Sequence, residues 1–419
     1  MQTVTSTRMS RVLKLPKHTP PGTPPEASLS SGLTARRASG GVMINRRLDL
    51  LRCSMSDVDD DVLDQLSIRW TRTRRGRPDP RVHIPTVKLN NGVEMPVLGF
   101  GTWLGFNDKM QLDMPTCDKM VDALEYAIDI GYRHIDTAHL YRVEPEIGDV
   151  IEKKIKEGVV KREELFITTK VWQHYHREKD VEVSLRHSLR RMKLDYVDQL
   201  LIHWPFSHNQ QGVDEKIDYL ETWRGFEAVL RAGLAKSIGV SNFTIPQLKR
   251  LIAFSKVVPA THQIEVNLNL AQRELVDYCK AQGIVVVAYA PFGCMVPSKD
   301  YPDSPEPKIN NPQMVALARK HNKTVTQIVL RHLYERDLVS VPKTITKSRV
   351  LENASIFDFK LDAEDTKVLE SFNNGYRSNP VLWYMNFDHY PFEKVKLDKL
   401  PEIPSGLLKW KNGKNQNID

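Results

Sequence analysis

From about Val82 onward, short apolar runs rich in β-branched residues alternate with segments whose apolar residues recur at helical spacing. Eight such runs follow one another along the chain: VLGFG, HIDTA, LFITTKV, VDQLLIHW, AKSIGVSNF, THQIEVNL, IVVVAYA and LVSVPKT. Strands that are apolar on both faces are typical of parallel sheets covered by helices. The alternation therefore predicts an α/β protein, and a single (β/α)8 TIM barrel is the most economical assembly of eight such units.

The segments between these runs carry apolar residues at i, i+3 and i+4, as amphipathic helices do. They are EPEIGDVIEKKIKEG, DVEVSLRHSLRRMK, YLETWRGFEAVLRAG, TIPQLKRLIAFS and QRELVDYCKAQ. Two further helical segments, NPQMVALARKHN and DAEDTKVLESFNN, predict helices added to the barrel. Before the first barrel strand, Asn90-Asn91-Gly92 separates two extended pieces and predicts an N-terminal β-hairpin.

A doubly wound dinucleotide-binding fold is the alternative for a chain of this pattern. Its fingerprint is GxGxxG at the turn between a strand and a helix. Here Gly99, Gly101 and Gly105 are spaced with one residue too many, and no helical pattern of the expected kind follows. The glycine spacing therefore favours the barrel.

The 81 residues before the barrel differ in composition from the rest. They are rich in Pro, Ser, Thr and Gly, which predicts disorder, and they carry 15 Lys and Arg against 8 Asp and Glu. The remaining chain carries 45 Lys and Arg against 44 Asp and Glu, so the net charge of +8 belongs almost entirely to the extension. We predict a disordered extension over residues 1–81, a barrel over 82–392 and a C-terminal tail over 393–419. A nearly neutral barrel gives no reason to expect nucleic acid.

The extension leaves the cellular location open between two compartments. It has no acidic residue before Glu26 and many Arg and Ser, as mitochondrial transit peptides do, but its prolines interrupt the amphipathic helix that such peptides need. A cytosolic extension, or a start at Met55, is the simpler interpretation. Cys53, Cys117, Cys279 and Cys294 lack CxxC spacing, which indicates a reducing compartment and neither a disulfide framework nor a structural zinc site. No apolar run approaches the roughly 20 residues of a membrane span.

Polar side chains follow three successive strand-like runs. Asp136 and Tyr141 lie in HIDTAHLY, Lys170 in LFITTKVW and His203 in DQLLIHWP. Barrel enzymes carry their chemistry at the carboxyl ends of the strands, so these four side chains should meet at one rim. A carbonyl reduced by hydride needs a proton donor, and a cation beside a tyrosine lowers the pKa of the phenol toward neutrality. We therefore predict Tyr141 as the acid, Lys170 as its activating cation, Asp136 as the partner of Lys170, and His203 as the residue that orients the substrate oxygen.

These residues lie in segments that resemble the aldo-keto reductase superfamily. GYRHIDTAHLY, FITTKVW, YVDQLLIHWP, KSIGVSNF, THQIEVN and VPKTITKSRVLEN occur in the order of its successive signatures, from about Val82 to about Phe392. The resemblance implies an NADPH-dependent carbonyl reductase with Tyr141, Lys170, Asp136 and His203 in the roles given above, and with no metal. A metal bound by His174 and His176 is disfavoured, because neither has an acidic or cysteine neighbour in the sequence.

The resemblance also implies the cofactor site. The nicotinamide carboxamide is held by Ser241, Asn242 and Gln263, and the ring stacks on Tyr289. Lys343, Thr344 and Arg349 bind the 2′-phosphate, while Glu352 and Asn353 contact the adenine. The remaining implied cofactor contacts are Gly101, Thr102 and Trp103. Ala290 departs from the serine that many members have after the stacking tyrosine, so one phosphate contact is expected to be missing.

The implied substrate pocket is aromatic and therefore suits an apolar carbonyl compound. Its walls are Trp103, Trp172, Trp204 and Trp383, with His203 at the carbonyl and Tyr384, Phe387 and Tyr390 in the C-terminal segment that closes the pocket. The segment after Pro205 is shorter and more polar than in many relatives, so a more open pocket is expected. GTWLG and KREELFITTKVW are most similar to insect members, among them reductases of 3-dehydroecdysone, which suggests a steroid or ecdysteroid ketone as the substrate.

Two other functions remain on the same fold. A general detoxifying aldehyde or ketone reductase would use the same four residues, and a non-catalytic NADPH-binding regulatory subunit would retain only the cofactor site. By analogy with the superfamily, we expect a cytosolic monomer that binds neither nucleic acid nor membranes.

Overall fold

The computed structural model describes residues 82–105, 117–296 and 304–408 of the 419-residue chain. The predictions of disorder and targeting for residues 1–81 lie outside the described residues, as does Cys53. The strands are β1 Thr86–Lys88, β2 Glu94–Pro96, β3 Gly99–Gly101, β4 His134–Asp136, β5 Phe166–Val171, β6 Val197–Ile202, β7 Ala235–Ser241, β8 Thr261–Glu265, β9 Val285–Tyr289 and β10 Val339–Ser340. The α-helices are Cys117–Ile130, Glu144–Lys156, Glu178–Met192, Tyr219–Arg231, Ile245–Phe254, Arg273–Ala281, Pro312–His321, Val325–Glu335, Lys347–Ala354, Ala363–Glu370 and Ser405–Leu408.

Strands β3 to β10 form one parallel sheet in sequence order, which closes into a barrel. Closure comes from the pairing of Leu98 with Ser340 and of Gly101 with Lys343, so that the first and last strands meet. A Cβ at Gly101 would lie 2.6 Å from the carbonyl oxygen of Val341, so only glycine permits this close approach. The predicted (β/α)8 barrel is confirmed.

The predicted hairpin is also confirmed, and it covers the amino-terminal end of the barrel. Strands β1 and β2 pair antiparallel around the Asn90-Asn91-Gly92 turn. Leu89 and Met95 from this hairpin are buried against Phe166, Val287 and Val339 of the barrel. Apolar side chains of the hairpin therefore pack on this end of the barrel.

The helices pack on the outside of the barrel through the apolar faces that their sequences predict. In Glu178–Met192 the buried residues recur at three- and four-residue spacing from Val181 to Met192, and the helix ends at Lys193 in a left-handed conformation. Helix Cys117–Ile130 has the same pattern and was omitted from the sequence prediction. Both predicted added helices form, as Pro312–His321 and Ala363–Glu370. Among the described residues, the helices are too short or too polar to cross a membrane.

Candidate active site

The four predicted catalytic residues lie together at the carboxyl-terminal rim of the barrel. Asp136 ends β4, and Tyr141 ends the short 3-10 helix that follows it. Lys170 lies near the end of β5, and His203 directly follows β6, where its backbone N–H donates to the carbonyl of Val171 at 3.3 Å. Parallel strands in register bring these residues to one rim, although up to 67 positions separate them in sequence.

Lys170 is the centre of the hydrogen-bonded cluster. Its Nζ donates to Oδ1 of Asp136 at 2.7 Å, to the carbonyl of Thr137 at 3.0 Å and to Oη of Tyr141 at 3.3 Å. The side chains of Lys170 and Asp136 are 1% and 5% exposed. The other carboxylate oxygen of Asp136 accepts from Nε2 of Gln263 at 2.7 Å. A buried ion pair with its remaining atoms hydrogen-bonded is held in one geometry, which is what a positioned proton donor requires.

The pKa of Tyr141 shifts in the opposite direction from the sequence prediction. Burial raises the pKa of the phenol well above its ordinary value, and the Asp136 carboxylate raises it further. Burial is the larger cause, and the Asp136 carboxylate, paired with Lys170, offsets the effect of the ammonium on the phenol. Tyr141 therefore keeps its proton at neutral pH, and the hydrogen bond from Lys170 becomes strongest as a phenolate forms.

His203 is held in its neutral form. Burial lowers its pKa well below the ordinary value, and the nearby Lys170 charge lowers it further. The ring lies edge to face with Tyr141 at 5.7 Å and with Trp172 at 5.3 Å between ring centroids. A neutral imidazole can donate one hydrogen bond but carries no acidic proton at neutral pH. This arrangement supports Tyr141, and not His203, as the proton donor.

A second buried charged cluster lies next to the cluster of Tyr141, Lys170 and Asp136. Glu144, which is fully buried, accepts from Oγ1 of Thr169 at 2.7 Å and from Arg191 at 2.7 and 2.9 Å. Arg191 also hydrogen-bonds Nδ1 of His139 at 2.8 Å. Thr169 precedes Lys170, and Glu144 follows Tyr141 by three residues. This cluster is absent from the sequence prediction, although a glutamate at a predicted helix start was a visible signal.

The residues predicted to hold the nicotinamide lie beside the catalytic cluster. Ser241 and Gln263 face each other on adjacent strands, and Asn242 donates to the carbonyl of His203 at 3.0 Å. The hydroxyl of Tyr289 donates to Oδ1 of Asn242 at 2.8 Å. Two amides and a hydroxyl, each at most 3% exposed, supply the mixed donors and acceptors that a carboxamide binds. Gly101 and Thr102 lie at the end of β3, next to β4. Both the backbone N–H and the hydroxyl of Thr102 donate to the carbonyl of Asp136.

The predicted phosphate-binding residues surround the start of helix Lys347–Ala354. Lys343 and Arg349 are exposed, and Thr344 accepts from the backbone of Thr346 at 3.1 Å. Exposed cations at a helix N-terminus form an anion site, since the helix dipole and free N–H groups favour negative charge. Asn353 is buried, and one oxygen of Glu352 already accepts from Thr324 and Thr326 at 2.6 Å. The donor set fits a nucleotide phosphate.

The predicted aromatic pocket residues form one cluster at the same rim. Trp172 and Trp204 are buried in it, while Trp103, Trp383 and Tyr141 are partly buried against it. The tail contributes Tyr384, Phe387 and Tyr390, and the hydroxyl of Tyr384 hydrogen-bonds Nε2 of His208 at 3.1 Å. Trp103 lies 5.0 Å from Tyr141 between ring centroids, so this aromatic cluster adjoins the predicted proton donor.

The pair His174 and His176 does not form a metal centre with its neighbours. The His174 ring lies edge to face with His208, at 4.7 Å between centroids. Burial lowers the pKa of His174 to about 4 and that of His176 to about 3, so both are neutral. Among the described residues, His, Cys, Asp and Glu nowhere form a group of three that could hold a metal ion.

Glu265 is a site residue that the sequence analysis missed. It ends β8 fully buried, two residues after Gln263, and accepts four hydrogen bonds. The backbone N–H and hydroxyl of Ser378 donate at 2.8 and 2.6 Å, the N–H of Asn379 at 3.0 Å, and the amide of Asn267 at 3.1 Å. Glu265 therefore holds Ser378 and Asn379 beside Gln263, one of the residues predicted to bind the cofactor. A lone carboxylate inside the apolar run THQIEVNL was the available signal.

Replacing Glu265 with alanine is expected to destabilise the protein by about 1–3 kcal/mol, because the partly buried N–H donors of Ser378 and Asn379 lose their acceptor. Urea denaturation monitored by fluorescence measures the change. Glu370→Ala is the matched control, since its ion pair with Arg273 is exposed and worth less than about 1 kcal/mol. Equal losses in the two variants would contradict an anchoring role for Glu265.

Comparison with known proteins agrees with this geometry. Residues 97–374 match the model of the aldo/keto reductase family. The silkworm (Bombyx mori) aldo-keto reductase AKR2E4 is 40% identical over 74% of this chain and 99% of its own length. Member C13 of aldo-keto reductase family 1 from Mus musculus is 39% identical over 73% of this chain and 97% of its own. This chain belongs to the aldo/keto reductase family.

Solved structures place this aldo/keto reductase near insect members of the family. AKR2E5, whose crystal structure was determined in complex with NADPH, is 62% identical in sequence to this chain. The match covers 79% of this chain and the whole AKR2E5 chain, with a TM-score of 0.76. AKR2E4 in complex with NADP is 40% identical with a TM-score of 0.71, covering 74% of this chain and all of its own. The family match ends at residue 374, so Tyr384, Phe387 and Tyr390 of the aromatic cluster lie beyond it.

Proposed function

We propose that this aldo/keto reductase reduces an aldehyde or ketone to the alcohol with NADPH, and that Tyr141 is the general acid. The observation that carries the proposal is the Tyr141–Lys170–Asp136 cluster beside a neutral His203. NADPH, when bound, supplies the hydride. Tyr141 gives its Oη proton to the carbonyl oxygen, Lys170 stabilises the phenolate that results, and Asp136 keeps Lys170 in place. His203 donates a hydrogen bond that orients the carbonyl.

The cofactor proposal rests on the donor set and on the relatives. Ser241, Asn242, Gln263 and Tyr289 would hold the nicotinamide, and Lys343, Thr344 and Arg349 the 2′-phosphate. AKR2E5, which is 62% identical, was crystallised with NADPH. The small residue Ala290 has a φ of 45°, so it shapes the turn after Tyr289 while offering no hydroxyl to a phosphate.

Arg349→Ala is expected to weaken NADPH binding by about 10- to 100-fold, because a charged hydrogen bond to phosphate contributes about 1.5–3 kcal/mol. NADH lacks the 2′-phosphate, so its affinity should be unchanged. Fluorescence titration with each nucleotide measures both values. Arg319→Ala is the control, because Arg319 is exposed on another helix. An equal loss for NADPH and NADH would assign Arg349 a structural role instead.

The substrate is proposed to be an apolar carbonyl compound such as a steroid or ecdysteroid ketone. Support comes from the aromatic cluster and from the likeness to insect relatives. A general detoxifying reductase is the second candidate, because the same four residues and an aromatic pocket also suit varied aldehydes. We also propose that residues 82–392 are the catalytic unit of a cytosolic monomer.

NADPH oxidation by the purified protein, against a panel of simple aldehydes, apolar ketones and 3-dehydroecdysteroids, tests the proposal. A higher kcat/KM for the ecdysteroid ketones supports a hormone reductase, and comparable values across the panel support the detoxifying enzyme. Ready reduction of aldehydes with no turnover of 3-dehydroecdysteroids would exclude the ecdysteroid assignment. Tight NADPH binding with no carbonyl reduced would favour a regulatory subunit.

A further inference from the structure

The segment that carries Tyr141 connects β4 to the helix Glu144–Lys156. Tyr141 ends the short 3-10 helix in this segment, and its hydroxyl accepts from Nζ of Lys170 at 3.3 Å. That hydrogen bond is longer than the 2.7 Å ion pair between Lys170 and Asp136. The distance from the phenol to the ammonium therefore depends on how the backbone of the Tyr141 segment is held against β5.

Glu144 joins the end of this segment to β5. It is the first residue of its helix, its side chain is 1% exposed, and Oε1 accepts from Oγ1 of Thr169 at 2.7 Å. Thr169 and Lys170 are neighbours in β5, so their side chains lie on opposite faces of the strand. Glu144 thus binds one face of β5 directly beside the residue whose ammonium contacts the phenol on the other face.

Arg191, on the helix Glu178–Met192, holds the Tyr141 segment at two points. It donates to Oε2 of Glu144 at 2.9 Å from Nε and at 2.7 Å from Nη2, and Nη2 also donates to Nδ1 of His139 at 2.8 Å. Burial holds the pKa of His139 well below its ordinary value, and the Arg191 charge lowers it further, so the ring is neutral and Nδ1 can accept. His139 precedes Tyr141 by two residues and Glu144 follows it by three. The two contacts therefore flank the predicted general acid.

The charges of this cluster balance one another while they are buried. The side chains of Glu144 and Arg191 are 1% and 14% exposed, and the neutral His139 adds no charge. Displacing either ion would leave the other without its partner in surroundings of low polarity, which is costly. The cluster therefore fixes the spacing of the Tyr141 segment, β5 and the helix Glu178–Met192.

We propose that Glu144 is a positioning residue for proton transfer, which holds Tyr141 at the distance from Lys170 that the reaction requires. The inference rests on the proposed function, because it concerns the proton donor of that reaction. Glu144 acts through Thr169 on the strand of Lys170 and through the backbone on Tyr141. Burial lowers the pKa of Lys170, and the carboxylates of Asp136 and Glu144 oppose this effect. Glu144 therefore also favours the charged ammonium, which stabilises the phenolate as the proton leaves.

Glu144→Ala is expected to lower kcat for carbonyl reduction by about 10- to 100-fold, because a small displacement of a reacting group has an effect of this size. KM and the affinity for NADPH should remain close to those of the unaltered protein. The solvent isotope effect on kcat, which is the ratio of the rates in H₂O and D₂O, should rise because proton donation by Tyr141 becomes slower relative to the other steps. A smaller folded fraction would lower kcat without changing this ratio.

Thr169→Val tests the same contact if the loss of Glu144 unfolds the protein. It removes the hydroxyl that joins Glu144 to β5 and keeps the ion pair with Arg191. We expect kcat to fall by about 10-fold, with a rise in the solvent isotope effect. Thr222→Val is the matched control, because it also removes a fully buried hydroxyl, which donates at 2.7 Å to the carbonyl of His176. It should leave kcat and the isotope effect unchanged.

Glu144→Gln separates the hydrogen bonds of Glu144 from its charge. The amide oxygen can accept from Arg191 and the amide nitrogen can donate to the hydroxyl of Thr169, so this variant should recover most of the activity that Glu144→Ala loses. A glutamine variant as slow as the alanine variant overturns the inference. So does an unchanged kcat in Thr169→Val, or a loss of kcat there without a rise in the isotope effect. These outcomes leave the proposed reaction standing, whereas an unaltered protein that reduces no carbonyl compound would overturn the proposed function first.

Discussion

Tyr141→Phe is expected to lower kcat for carbonyl reduction by about 10²–10⁴-fold, because it removes the proton that the developing alkoxide needs. NADPH affinity should remain, since the phenol hydroxyl interacts with Lys170 and not with the predicted cofactor residues. The fold should also remain, because Lys170 keeps its bonds to Asp136 and Thr137. Stopped-flow or steady-state oxidation of NADPH measures the rate, and fluorescence quenching measures binding.

Tyr334→Phe is the matched control, because Tyr334 lies on an outer helix and packs against Phe357. It should retain full activity. If Tyr141→Phe kept more than about a tenth of the rate, the proton would have to come from another group or from water. The neutral His203 is a poor candidate, because burial holds its pKa well below neutrality.

Lys170→Met is expected to abolish reduction and to destabilise the protein by about 3–5 kcal/mol, because it leaves the Asp136 carboxylate buried without its cation. Thermal or urea denaturation gives the change in the free energy of unfolding. The loss of activity follows from the loss of the only ammonium within hydrogen-bond distance of Tyr141 in the part of the chain that the structure describes.

Two variants separate the stability effect from the catalytic one. Lys154→Met also removes a buried lysine, but its partners Asp129 and Glu157 are 28% and 41% exposed and stay hydrated. It should cost less stability and leave activity unchanged. In Asp136→Leu/Lys170→Met both charges are removed, so stability should largely return while activity stays absent. A double variant as unstable as Lys170→Met would show that packing, and not the unpaired charge, causes the loss.

The sequence indicated the barrel because its signal is local. Each strand shows its apolar run, and each outer helix shows its stripe, within about 15 residues. The four polar strand ends could be placed at one rim because all parallel barrels have the same polarity. The same reasoning could not place Glu265, because its partners Ser378 and Asn379 lie 113 and 114 residues away on a tail without periodic pattern.

The electrostatics of the site also depended on the three-dimensional arrangement. The sequence named Lys170 as a cation beside Tyr141 and so predicted a lowered phenol pKa. In the structure the 2.7 Å pair with Asp136 neutralises that cation, burial dominates, and the pKa of Tyr141 rises. Residue types give the sign of each charge, but burial and distance decide which effect is larger.

By itself the sequence determined the eight strands, the hairpin and the identity of the residues at the rim. The periodicity of apolar residues is visible within each short segment, and the direction of the chain fixes which end of each strand carries the polar residues. Only the tertiary structure decided what surrounds Tyr141: the buried pair of Lys170 and Asp136, the contacts of Glu265 with Ser378 and Asn379, and the hydrogen bond from Arg142 to the carbonyl of Gly406. These contacts join residues up to 264 positions apart. Their energies come from burial and shape complementarity, which exist only once the barrel has closed.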